Sequence, residues 1–154
     1  MKRAKPRVAL AVQYAVASKT LPLPATLRRW VRAAAERDAT VTLRFVGRRE
    51  GQTLNAQYRG KEHATNVLAF VYDRAKSVSG DVVVCTPVLR QEARAQRKTV
   101  ADHCAHLVVH GFLHLQGYDH DNDRAARRME ARETAILAAL GVPDPYAPSV
   151  IARH

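Results

Sequence analysis

The sequence predicts a single α+β domain in which a mixed four-stranded sheet is packed with about five helices, and three observations carry that expectation. The 154 residues are a common size for one domain, and 47% hydrophobic content is enough to fill one core. Apolar runs of period two alternate with helical periodicity in the first half, and helical periodicity fills the second, which gives the order βαβαββααα. No internal repeat, low-complexity tract or long Gly/Ser linker divides 1–154, and the Pro-bearing stretch from 144 to 154 reads as a C-terminal tail.

The first strand is expected at 7–14, where Val8, Leu10 and Val12 fall in an apolar run. After Met1-Lys2-Arg3-Ala4-Lys5 this run superficially resembles a secretory leader, but Gln13 and Tyr14 interrupt it and favour the strand. No segment approaches the ~18 apolar residues of a membrane span. Pro24 opens a helix at 24–37, with Leu27, Trp30, Val31 and Ala34 on one face. Val41, Leu43 and Phe45 alternate in a strand at 39–47, and a short helix near 50–57 leads to strands at 65–72 and 80–86. Three helices follow at 87–98, 100–116 and 122–140. The last starts from Asn122 or Asp123 as a cap, stops at Gly141 before Pro143, and presents Met129, Ile136, Leu137 and Leu140 as an apolar face.

Chemistry concentrates in His110-Gly111-Phe112-Leu113-His114-Leu115-Gln116-Gly117-Tyr118-Asp119-His120. Residues four apart on a helix share a face, so His110 and His114 can offer two imidazoles to one ion. Gly117 can take the left-handed conformation that closes a helix, returning the chain so that His120 supplies a third ligand. Three ligands leave a fourth position of a tetrahedral zinc site open for water, whose pKa then falls to about 7, in the manner of a zinc hydrolase. Neutral imidazoles also leave the ion's charge uncompensated, which favours an anionic substrate such as a phosphodiester. Gly111 stands where an H-E-x-x-H peptidase carries its glutamate base, so peptide hydrolysis would need a base from outside the motif.

Rival ligand sets are open at this level, because His103, His106, His110 and His114 all fall near one helical face. The set His110, His114 and His120 is preferred because it uses the helix break. His106 is then left behind the site or in packing, and Asp119 is a candidate either to orient a histidine or to cap the turn. Three imidazoles accept zinc, nickel, cobalt or copper, with one Zn2+ the default expectation. Cys104 points to another side of the helix, and two cysteines, Cys85 and Cys104, are too few for a disulfide framework, which fits a reducing cytoplasm.

The stretch from His110 to His120 resembles the H-G-x-L-H-L-x-G-Y-D-H signature of the YbeY family of bacterial endoribonucleases. Leu54-Asn55-Ala56-Gln57-Tyr58-Arg59-Gly60-Lys61 resembles that family's L-N-x-x-Y-R-G-K segment, Thr65-Asn66-Val67-Leu68-Ala69-Phe70 its T-[DN]-V-L-S-F segment, and Gly80-Asp81-Val82-Val83 its strand start. The likeness runs from about Val8 to Tyr146. Ala69 replaces the usual serine, Val71 stands where proline is common, and His63-Ala64 precede Thr65 where proline is more usual. The resemblance implies a metal-dependent, single-strand-specific endoribonuclease acting at the 3′ end of 16S ribosomal RNA and in ribosome quality control. Ribosomal RNA and the small ribosomal subunit would be its partners. It raises Arg59 above the other arginines as the residue that steadies transition-state charge on phosphate.

A net charge of +11, from 25 Lys and Arg against 14 Asp and Glu, agrees with an RNA partner. The charge is spread over Arg28-Arg29-Arg32, Arg44-Arg48-Arg49, Arg90-Arg94-Arg97-Lys98, Arg124-Arg127-Arg128 and the N-terminal Lys2-Arg3-Lys5-Arg7, so no one cluster marks the RNA face. Only nine aromatic residues occur, 6% of the chain, and no aromatic-rich stacking motif is present, which favours phosphate and shape reading. Two rival classes remain: a ribosome-assembly factor whose metal is structural, and a metallopeptidase.

Overall fold

The computed structural model describes residues 5–59 and 65–147, with the side chains of Tyr58 and Arg59 outside the described set. Its element order is β1 (Val8–Tyr14), α1 (Pro24–Ala34), β2 (Ala39–Val46), α2 (Arg48–Arg59), β3 (Val67–Asp73), β4 (Val78–Cys85), α3 (Thr86–Ala95), α4 (Val100–Leu115) and α5 (Asp123–Ala139). The strands lie in the order β1-β2-β4-β3. β1, β2 and β4 run parallel, and β3 returns antiparallel on β4 to form one edge. The mixed sheet and five helices match the α+β expectation.

Alternation within the strands builds the core. Ala39, Val41, Leu43 and Phe45 of β2 and Val78, Val82 and Val84 of β4 point to one face, where α1 and α4 cover the sheet and α5 packs on those two helices. The opposite face carries a smaller cluster of Val46, Leu68, Val83 and Cys85 with Leu54 of α2 packed against it. Burial of apolar area on both faces is the main stabilising term, at about 25 cal/mol per Å2.

Helix α1 stops at Ala34, three residues short of the expected 37. Its following segment is committed elsewhere: the Glu36 N–H donates to Gln116 Oε1 at 2.7 Å, and the Arg37 guanidinium donates to the carbonyls of Arg74 and Ala75. Helix α3 stops at Ala95, also three short, because Arg97 takes a left-handed φ of 55° and the Lys98 N–H turns back to the Ala93 carbonyl at 2.9 Å. The ends of α4 and α5 fall close to expectation because their caps are written in sequence. Thr99 accepts from the Asp102 N–H at 3.0 Å, and Asn122 from the Ala125 N–H at 2.8 Å.

Helix α4 is the central element, buried on most sides, and two glycines set how closely it approaches the sheet. A Cβ on Gly111 would lie 2.8 Å from Val82 Cγ1 and 3.1 Å from Val67 Cγ2. A Cβ on Gly80 would lie 2.4 Å from the Phe70 carbonyl oxygen and 2.9 Å from Leu115 Cδ2. The carbonyl is fixed in the sheet and cannot yield as a side chain can. Gly80→Ala is therefore expected to cost about 3 kcal/mol and Gly111→Ala about 1–2 kcal/mol, read as lower urea midpoints at unchanged slope.

Candidate metal centre

The last turn of α4 is held from three directions. The Arg74 guanidinium, in the β3–β4 connection, donates to the Leu115 carbonyl at 2.8 Å and the His114 carbonyl at 3.1 Å, satisfying acceptors that a helix end leaves open. The Gln116 amide donates to the Ala34 carbonyl at 2.9 Å. Tyr118 donates to Glu36 Oε2 at 2.8 Å, Arg132 donates to the same oxygen at 3.1 Å, and Arg128 lies over the Tyr118 ring at 5.0 Å. Gly117, at φ 107°, makes the reversal between these anchors.

That reversal returns His120 to the helix. The rings of His110 and His120 lie 5.6 Å apart edge to face, and His110, His114 and His120 together line one small pocket with Val67, Ala69 and Gly111. The space between them is about 30 Å3. A second space of about 150 Å3 opens beside it, lined by His110, His120, Ala126, Met129, Glu130, Glu133 and Tyr146. The structure thus brings the three predicted imidazoles to one place. Among the described residues no three His, Cys, Asp or Glu side chains are already grouped as a metal cage.

The carboxylate behind the site is Glu133 of α5, fully buried. His110 Nδ1 lies 2.7 Å from its Oε2, His106 Nε2 lies 2.9 Å from its Oε1, and the Tyr146 hydroxyl donates to Oε1 at 2.5 Å. Burial alone would raise the Glu133 carboxyl, but the hydrogen bonds from His106 and His110 outweigh it and bring it down to about 2. Burial and then the Glu133 charge push the Tyr146 hydroxyl up, so it stays a donor. With Nδ1 facing a carboxylate, His110 presents Nε2 to the pocket, the arrangement that orients a metal-bound histidine.

The other candidates separate cleanly. His103, 2% exposed, lies with Nε2 2.8 Å from Glu92 Oε1; Glu92 also accepts from the Asn66 amide, which fastens the start of β3. Burial lowers the His103 ring, with Glu92 opposing, and the residue faces away from the three-histidine pocket into α3. His106 sits behind His110 through Glu133. Asp119 takes the turn role: its Oδ1 accepts from the Asp121 N–H at 3.2 Å. Cys104 is buried in the core and does not line the histidine pocket, and burial pushes its thiol up to about 12. Arg59 ends α2, and its side chain lies outside the described residues. His63 lies outside them too.

Sequence reasoning missed Glu133 and Tyr146. Glu133 lies four residues after Met129 and three and four before Ile136 and Leu137, so it occupies the apolar face of α5. A carboxylate in that stripe was the available signal. Tyr146 lies in the stretch read as a tail, where nothing local marks its partner.

The family model described as Endoribonuclease YbeY matches residues 14–141. The chain belongs to the YbeY family. It is 50% identical over 147 residues to the Endoribonuclease YbeY of Aromatoleum aromaticum, covering 94% of this chain and 96% of that one. The Endoribonuclease YbeY of Bordetella avium is 50% identical over 158 residues, covering 95% and 98%. The fold is similar to the solution structure of TM1509 from Thermotoga maritima, with a TM-score of 0.57, 25% identity, and coverage of 94% of this chain and 99% of that one. As a YbeY-family chain it carries the two departures in β3 without losing the strand: Ala69 pairs with Val82 and Val71 with Gly80, and the register shifts between Val71 and Asp73. No helix among the described residues is long and apolar enough to cross a membrane.

Proposed function

We infer that this chain is a metal-dependent, single-strand-specific endoribonuclease that matures the 3′ end of 16S ribosomal RNA on the small ribosomal subunit and serves ribosome quality control in the cytoplasm. The observation that carries the reading is the meeting of His110, His114 and His120 at one pocket, with Glu133 behind His110, in a chain of the YbeY family. Relatives named Endoribonuclease YbeY support the reaction, and the +11 charge supports an RNA substrate. The ribosomal substrate rests on the motif resemblance.

His110, His114 and His120 would hold the ion, with zinc the first choice for three imidazoles. A bound ion there supplies Lewis acidity towards phosphate and a water of lowered pKa. The chain's own residues do the rest. Glu133 fixes the tautomer and direction of the His110 ring, and His120, exposed on the turn after Gly117, has the side-chain latitude to complete the set. Arg59 would hold a nonbridging phosphate oxygen and oppose the charge that grows as the phosphodiester is attacked. Gly111 weighs against a peptidase, because its position is packed on Val82 and has no room for a glutamate.

The test is cleavage of small-subunit ribosomal RNA by metal-analysed protein, with and without a chelator. Chelation is expected to stop cleavage and readdition of zinc to restore it. Arg59→Ala is expected to lower kcat by about 10²–10³-fold while the protein stays folded and binds RNA. Wild-type protein that binds metal and RNA but does not cleave would move the chain to a non-catalytic assembly factor with a structural metal.

A further inference from the structure

A broad groove lies away from the histidines. It encloses about 710 Å3 and is lined by Lys5 and Arg7 just before β1, Arg29 and Arg32 of α1, and the small or apolar Pro6, Val8, Ala33 and Leu140. All four basic side chains are exposed, and among the described residues none makes a salt bridge; Asp38 Oδ1 accepts from the Arg7 backbone N–H at 2.8 Å, which leaves the Arg7 guanidinium uncommitted to it. The groove follows the β1 edge of the sheet, and the histidine pocket is lined by Val67 and Ala69 of β3 at the other edge. Three strand intervals of about 4.8 Å put ~14 Å between those two edge strands.

We propose that this groove is a second RNA-docking site, which holds the phosphate backbone of a structured segment while a single-stranded segment occupies the histidine pocket. The proposal rests on the endoribonuclease reading. Four converging cations without acidic partners favour a polyanion, and three of the four are arginines, whose forks match phosphate oxygens in pairs. The lining has no aromatic ring on which a base could stack, so backbone contact is the recognition it can offer. Its distance from the histidines means that an RNA trinucleotide at the cleavage pocket leaves it empty, whereas a stem with a single-stranded flank can reach both.

The experiment compares full-length wild type with Arg29→Ala/Arg32→Ala, and with Arg94→Ala/Arg97→Ala, which removes the same charge from α3. Fold is checked by thermal melting. Binding of a small-subunit rRNA stem-loop with a single-stranded flank is measured across salt concentrations. For the α1 variant, Kd is expected to rise about tenfold and the slope of log K against log salt to become shallower by about 1.5. Its kcat/KM on an RNA trinucleotide is expected to stay within about twofold of wild type, and the α3 variant to bind the stem-loop within about threefold. Wild-type stem-loop affinity and slope in the α1 variant would overturn the proposal, as would an equal loss in the α3 variant. A loss confined to a polyglutamate peptide would overturn it in favour of an acidic protein partner. Failure of wild type to cleave any RNA would sink the endoribonuclease reading, while the binding arm would still decide the groove.

Discussion

His114→Ala is expected to abolish cleavage, lowering kcat/KM by at least about 10³-fold, with the fold retained. His114 is the one proposed ligand on the last turn of α4, where its side chain borders the pocket and its carbonyl is engaged by Arg74. Alanine keeps the helix and leaves the carbonyl contact in place. The loss therefore falls on the ion, whose charge stabilisation in phosphodiester cleavage is worth roughly 4 kcal/mol, or about three decades in rate. Single-turnover cleavage, metal content and thermal melting of the same preparation check it. A variant that unfolds on losing the metal would favour the structural-metal alternative, and one that still cleaves would remove His114 from the site.

Glu133→Gln is expected to weaken zinc binding by about 10–100-fold and to cost roughly 1–3 kcal/mol of stability. Glutamine keeps the volume, but its NH2 end must face either His110 Nδ1 or the oxygen and nitrogen of Tyr146 and His106, so one contact turns from favourable to mismatched. Tyr146→Phe is the control. It removes only the hydroxyl donated to Oε1 and leaves the His110 contact, so zinc affinity should change by less than about threefold. A competition titration against a chromophoric chelator reads both. Equal weakening by the two variants would mean that the network acts through packing of α5 and the chain around Tyr146, and not through the carboxylate's hold on His110.

Much of this architecture is legible in the sequence. Alternation in β2, the Pro24 start of α1, and the Thr99 and Asn122 caps are short-range properties, written within a few residues of where they act. The two helix ends that fell short, at Ala34 and Ala95, were decided by contacts absent from their own windows: Gln116 on Glu36 from 80 residues away, and the left-handed turn at Arg97.

The sequence by itself determined the element order, carried the resemblance to the family and favoured His110, His114 and His120 over rival sets, because i, i+4 spacing and a glycine stop are local geometry. Only the tertiary structure decided how His103, His106 and His110 differ. All three are histidines on one helix, yet α3 brings Glu92 to the first, and α5 brings Glu133 to the other two. It also decided that Gly111 is a packing requirement, since the obstructing atoms belong to Val82 and Val67, about 30 and 45 positions earlier. The physical reason is the same in each case: a side chain's role at this site is set by what packs against it, and packing joins residues that the chain keeps far apart.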